Sequence, residues 1–114
     1  MLLKSSQNLE VGKECLNKGQ YDAAASRIYY AVFQAVLNWV RLKRGFVEQK
    51  DVHAAITRLM KVGTSSHLYH ESFNNLRILR VKADYDPEPV EREELEDLLP
   101  MCERIIAFYK RQVE

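Results

Sequence analysis

Three arginines and one aspartate carry most of the chemistry this sequence offers. Arg77 and Arg80 stand three residues apart and Arg80 and Asp84 four apart, so a helix through this stretch gathers all three along one side. Two guanidiniums with forked donors are suited to grip a phosphate, with Asp84 holding them in place. The same spacing also suits a plain Arg80–Asp84 ion pair, worth about 0.3–0.5 kcal/mol on an exposed helix. Arg27 shifts the balance towards the anion site. It lies in an otherwise apolar segment, where a charge needs a partner, and Asp84 is the obvious candidate. A shared Arg27–Asp84–Arg80 network in a cleft follows as the expectation.

Other constellations are weaker. His67 and His70 lie at i and i+3, close enough on a helix to share a metal. A third ligand is not evident beside them unless Glu71 or His53 arrives through folding, and zinc usually takes three or four protein ligands. We therefore read them as surface histidines and expect no metal and no other cofactor. His53 falls in the first turn of a helix, where a cap or a contact with the long preceding helix is expected. Ser26 beside Arg27 and two tyrosines has no histidine within a helical turn, which leaves a serine nucleophile without a base. No glycine-rich phosphate loop and no paired-carboxylate signature occur, which argues against a P-loop enzyme. Cys15 and Cys102 form no CxxC pair and read as free thiols.

The elements that must position these groups are helical throughout. Leu9, Gly12 and Leu16 mark a stripe between Ser5 and Asn17, ended by a left-handed cap at Gly19. A second helix, from about Asp22 to Lys43 and stopping at Gly45, is apolar on most sides: Ala25, Ile28, Tyr29, Val32, Phe33, Val36, Leu37 and Val40. Such a helix belongs in the middle of a bundle. Its one polar line is Arg27, Gln34, Asn38 and Arg41. Asp51 can cap a third, short helix ending near Gly63, followed by a Gly63–Ser66 loop. A fourth runs from about His67 to Tyr85, where Asp86-Pro87-Glu88-Pro89 must break it. The last carries Leu95, Leu98, Leu99, Cys102, Ile105, Ile106, Tyr109 and Val113 in phase across Pro100, which predicts a kink or a break and restart. The expected fold class is all-α, an antiparallel up-and-down helical bundle of four long helices plus one short helix, as a single domain over residues 1–114.

Composition fits that picture. The chain has 114 residues, 46% of them hydrophobic and 29% charged, enough for a core and for a polar surface. Seventeen Lys and Arg against sixteen Asp and Glu leave a formal charge of +1, which argues against a broad phosphate-coating surface but not against a focused one. No apolar run approaches the roughly 20 residues of a membrane span, and the first residues show no signal-peptide core, so the expected location is cytoplasmic.

Two motifs extend the reading. Ala24-Ala25-Ser26-Arg27-Ile28-Tyr29-Tyr30-Ala31-Val32-Phe33, followed by Leu76-Arg77 through Ala83-Asp84-Tyr85-Asp86, resembles the HEPN family, in the prokaryotic branch with an SRxYYAxF helix and an RxxADYD helix end. Val52-His53-Ala54-Ala55-Ile56 fits the intervening region. The resemblance covers nearly the whole chain and is strongest from about Tyr21 onward. It implies a helical up-and-down bundle that forms a homodimer. It also implies a neighbouring small nucleotidyltransferase partner in a toxin–antitoxin pair, and in many members RNA cleavage. In the ribonucleases of the family an arginine is followed, after four to six residues, by a histidine. Arg80 matches the arginine, but Tyr85, Asp86 and Pro87 occupy the positions where a histidine belongs.

That departure bears on mechanism. RNA cleavage without a metal needs a group of near-neutral pKa to move a proton, which suits histidine and not a phenol titrating near 10. The favoured reading is a nucleotide- or RNA-phosphate-binding module with Arg27, Arg77, Arg80, Asp84 and Tyr30 as its site, Tyr85 also lining the cleft. The alternatives are a ribonuclease toxin in which Arg80 and Tyr85 act as catalytic residues, and a purely structural bundle that binds its nucleotidyltransferase partner.

Overall fold

The computed structural model describes residues 2–45, 50–63 and 67–114. Among these, five α-helices follow one another and no strand occurs: α1 (Leu2–Asn17), α2 (Tyr21–Trp39), α3 (Val52–Gly63), α4 (His67–Tyr85) and α5 (Arg92–Gln112). The fold is all-α, a helical bundle with α2 at its centre. Helices α1, α4 and α5 pack directly on α2, and α3 packs mainly on α4. This is the outcome of the apolar pattern of α2, which buries Ala24, Ala25, Ile28, Tyr29, Val32, Val36 and Leu37 on several sides at once. Residues 64–66, part of the expected loop, lie outside the described residues, as does the side chain of His67.

Local sequence accounts for most helix ends. Gly19 and Gly45 both adopt left-handed angles (φ 78° and 64°) and close the helices before them. Asp51 Oδ1 accepts the Ala54 N–H at 3.1 Å, capping α3 as its position predicts. The segment Asp86–Val90 is not free to swing, because Asp22 Oδ1 at the start of α2 accepts the Val90 N–H at 2.9 Å, and Val90 is buried. Glu94 Oε1 then accepts the Glu91 N–H at 3.0 Å, which starts α5 and holds the Glu94 carboxyl below its usual range.

Two expectations about helix continuity are refined. The second helix is not α-helical to Lys43: from Val40 to Arg44 it widens into a π-helical turn, closed by Gly45 N–H donating to the Val40 carbonyl at 3.0 Å. The Arg44 guanidinium lies 5.7 Å from the Trp39 ring centroid across this turn. Pro100, in contrast, does not break the last helix, and α5 runs through it from Arg92 to Gln112. The apolar stripe that stays in phase across the proline explains why. Leu95 on one side and Cys102, Ile105, Ile106 and Tyr109 on the other are all buried in one core, and that burial outweighs one missing hydrogen bond. Cys102 is a buried free thiol that burial pushes up to about 12, and Cys15 is free and half-buried.

Candidate anion-binding site

Ser26, Tyr29 and Tyr30 stand at i, i+3 and i+4 on α2, so they form one continuous face. Arg80 and Asp84 stand at i and i+4 on α4. The two faces meet. The Arg80 guanidinium lies 5.2 Å from the Tyr29 ring centroid and 5.5 Å from that of Tyr30, within cation–π range. Its Nη2 donates to the Tyr30 hydroxyl at 3.3 Å, and its Nε lies 3.6 Å from Asp84 Oδ2. Ser26 Oγ donates to the other carboxylate oxygen of Asp84 at 3.3 Å. Asp84 is thus held from two helices, and in turn it holds Arg80.

The result is a fixed cation at the surface. The Arg80 side chain is 26% exposed, and its buried Nε has no hydrogen-bond partner of ordinary length among the described residues. A guanidinium carries five N–H donors, so capacity for an anion remains. Tyr30 beside it is 40% exposed and presents a ring on which a base can stack.

Beneath this pair lies a second, more buried layer. The Tyr29 ring stacks on Phe73 at 5.5 Å between centroids, and His53 of α3 packs against both rings. The Tyr29 hydroxyl and His53 Nδ1 are 2.9 Å apart. Burial pushes the Tyr29 phenol up to about 12 and the His53 imidazole down to about 4, with the Arg77 charge adding to the latter. Both groups are therefore neutral around pH 7, and the imidazole tautomer sets which of them donates in this hydrogen bond. Asn74 lies close enough to favour the protonated ring, yet no hydrogen bond of ordinary geometry reaches His53 Nε2.

The residues singled out from sequence are not all brought together. Arg80, Asp84 and Tyr30 converge as described. Arg27 does not join them: it is exposed, and its Nη1 donates to Asn8 Oδ1 of α1 at 3.1 Å. The expected Arg27–Asp84 link is replaced by the Ser26 hydroxyl, because one residue along a helix turns the side chain by about 100°. The polar line of α2 faces α1 here, where Asn8 Nδ2 also donates to Gln34 Oε1 at 2.9 Å. Arg77 is exposed and lines a different groove, between α3 and α4. Tyr85 ends α4 with 79% of its surface in solvent. The expectation that His53 contacts the long second helix is met through Tyr29. What the residue types alone missed is the part played by Ser26 and Tyr29, although the i, i+3, i+4 spacing in Ser26-x-x-Tyr29-Tyr30 contained the signal.

A helical bundle whose central helix docks an Arg–Asp pair from α4 onto a Ser–Tyr–Tyr face is a protein built around a surface guanidinium. The HEPN domain family model matches residues 1–112, and the chain belongs to that family. No curated protein and no solved structure matches it. Among the described residues no helix is long and apolar enough to cross a membrane.

Proposed function

We propose that this chain is a single-domain HEPN module that binds a nucleotide or RNA phosphate at Arg80. The observation that carries the reading is the clamped guanidinium: Tyr29, Tyr30 and Asp84 fix its plane before any ligand arrives, so little side-chain freedom is lost on binding. The exposed Tyr30 ring supplies a stacking surface next to it. Asp84 is the price of that order, since its carboxylate repels an anion and limits affinity. Family membership supports the further proposal that the module works as a homodimer paired with a nucleotidyltransferase, in the manner of a toxin–antitoxin pair.

Binding is favoured over RNA cleavage by the state of the histidine in this region. His53, held down to about 4, is neutral at physiological pH and a poor proton donor there. Its Nδ1 is already occupied by Tyr29. Tyr85, at the position where RNA-cleaving relatives carry histidine, remains the alternative proton carrier. The deciding experiment titrates AMP and a short oligoribonucleotide into the wild type, Arg80→Ala and Arg80→Lys at low and raised salt. The wild type is expected to bind in a salt-dependent way. Arg80→Ala should lose about tenfold or more, and Arg80→Lys should recover only part, because a lysine cannot fork. Absence of binding by the wild type at low salt overturns the proposal.

A further inference from the structure

Around the axis of α2, Tyr30 stands about 40° from Ser26 and about 60° from Arg27, on the ridge between them. Ser26 faces Asp84 of α4 and Arg27 faces Asn8 of α1, so the exposed Tyr30 ring has an arginine on either side. On one side Arg80 Nη2 donates to its hydroxyl. On the other, Arg27 is its neighbour three residues back on the same helix. The ring is held upright by edge contacts with Tyr29 and Phe33, at 5.4 and 6.4 Å between centroids.

Arg27 also has a groove of its own. About 510 Å³ of open space runs along the α1–α2 seam, lined by Arg27 and by Lys4, Gln7, Asn8, Glu10 and Val11 of α1. Asn8 orients the guanidinium by accepting from Nη1, and it is anchored in turn by its donation to Gln34. Among the described residues this engages one of the five N–H donors that a guanidinium carries. Lys4, one helical turn before Asn8, brings a second cation to the same wall. Glu10 is an acid there, but no ion pair joins it to either cation among the described residues.

A single strand of nucleic acid has the matching order. Each base within it is flanked by one phosphate on its 5′ side and another on its 3′ side. Proteins bind such strands by stacking bases on aromatic rings while cations follow the backbone. We infer that the ligand of the Arg80 surface is an oligonucleotide laid across the α2 ridge, with one phosphate at Arg80, its base on Tyr30, and the next phosphate in the α1–α2 groove at Arg27 and Lys4. This rests on the proposed Arg80 site and adds a second phosphate subsite to it. The two subsites differ in kind. A ligand must compete with Asp84 for Arg80, whereas a neutral amide holds Arg27, so a phosphate there displaces no bound acid.

The test titrates AMP, adenosine 3′,5′-bisphosphate, hexa-adenylate and its deoxyribo counterpart into the intact chain by calorimetry. The bisphosphate should bind roughly three- to tenfold tighter than AMP at low salt. Arg27→Gln should abolish that gain and leave AMP affinity unchanged, which also shows that the variant is folded. For the hexanucleotide, the same substitution should reduce the slope of log K against log salt by about 0.7, the loss of one phosphate contact. The tighter of the ribo and deoxyribo strands identifies the source. A bisphosphate no tighter than AMP, or a gain that survives Arg27→Gln, overturns the second subsite while leaving the Arg80 reading in place. Absence of binding by AMP and by both strands removes the Arg80 reading and the crossing with it. Strand binding that is indifferent to Arg80→Ala overturns the crossing. Lys110→Gln, in the last turn of α5, is the charge control, and a loss equal to that of Arg27→Gln marks a non-specific effect and overturns the subsite.

Discussion

Along α2 the seam with α1 closes backbone against side chain, whereas the seam with α4 is held open by rings. On the α1 side, Gly12 lies so near α2 that a methyl group added to it would come within 2.7 Å of Ile28 Cγ1 and 3.3 Å of the Ile28 nitrogen. Ser5 is buried there as well and donates to the Ala31 carbonyl at 2.6 Å. On the α4 side, Tyr29, Phe73 and His53 form a stack that spaces three helices apart. Each seam includes an arginine, yet only Arg80 is held by rings and an acid. Arg27 rests on the amide of Asn8 in the open. Close packing at Gly12 and Ser5 leaves an open groove of about 510 Å³ at the rim of the first seam, lined by Lys4, Asn8 and Arg27, whereas the ringed seam leaves a rim of clamped polar groups at its edge. What sets the second seam apart is a guanidinium fixed by two rings and an acid.

The largest effects should come from breaking each seam by its own logic. Phe73 is fully buried and stacks on both Tyr29 and His53, so Phe73→Ala should cost about 3–5 kcal/mol. Gly12→Val should cost about 1–3 kcal/mol by overpacking, because Ile28 must move and its backbone cannot easily do so. Urea denaturation of both variants measures the difference. If Gly12→Val is neutral, α1 is not closely seated and the contrast between the seams is wrong.

A smaller effect should separate the seams by pH. The His53 pKa is lowered on folding from 6.5 to about 4, so the unfolded chain binds the proton more tightly. Its contribution is fully present above about pH 6.5 and is lost as pH falls towards 4, since the unfolded state takes up the proton first. The ring is only half-buried, and solvent screening reduces the effect to about 1–2 kcal/mol. The stability of the wild type relative to His53→Phe should fall by that amount as pH drops from about 6.5 towards 4, once carboxylate titration, common to both, is subtracted. Parallel profiles would show that His53 is not the group responsible.

Periodicity made the bundle legible, because burial of α2 on several sides leaves a nearly continuous apolar pattern that no surface helix carries. The Arg80–Asp84 pairing was equally readable, since i and i+4 on one helix fixes it locally. Arg27 was misplaced for a reason of angle. Its neighbour Ser26 points at α4 and it points at α1, and the choice depends on how α2 is rotated within the bundle. That rotation is set by long-range contacts such as Ser5 with Ala31 and Phe73 with Tyr29. The π-helical turn at Val40–Arg44 was not readable either. Its residues are ordinary helix formers, and the turn directly follows the buried Trp39, whose ring centroid lies 4.9 Å from that of Tyr109.

The smallest effect is also the sharpest test of how the two arginines differ. Arg80→Ala removes a cation–π contact with two rings and an ion pair, together worth about 1 kcal/mol. Arg27→Ala removes a single exposed hydrogen bond to Asn8 and should fall within about 0.5 kcal/mol of the wild type. A double-mutant cycle with Asp84→Asn makes the distinction independent of absolute stability. Arg80 and Asp84 should couple by about 0.5 kcal/mol at low salt, and the coupling should shrink as salt is added. Arg27 and Asp84 should show no coupling, because each is held by a different partner. Equal coupling in both cycles would restore a shared three-residue network and place Arg27 back in the site. If Asp84 couples only to Arg80, the acid serves to hold one guanidinium in register, and the strength of anion binding at that surface is set by how far a ligand can outcompete Asp84 for it.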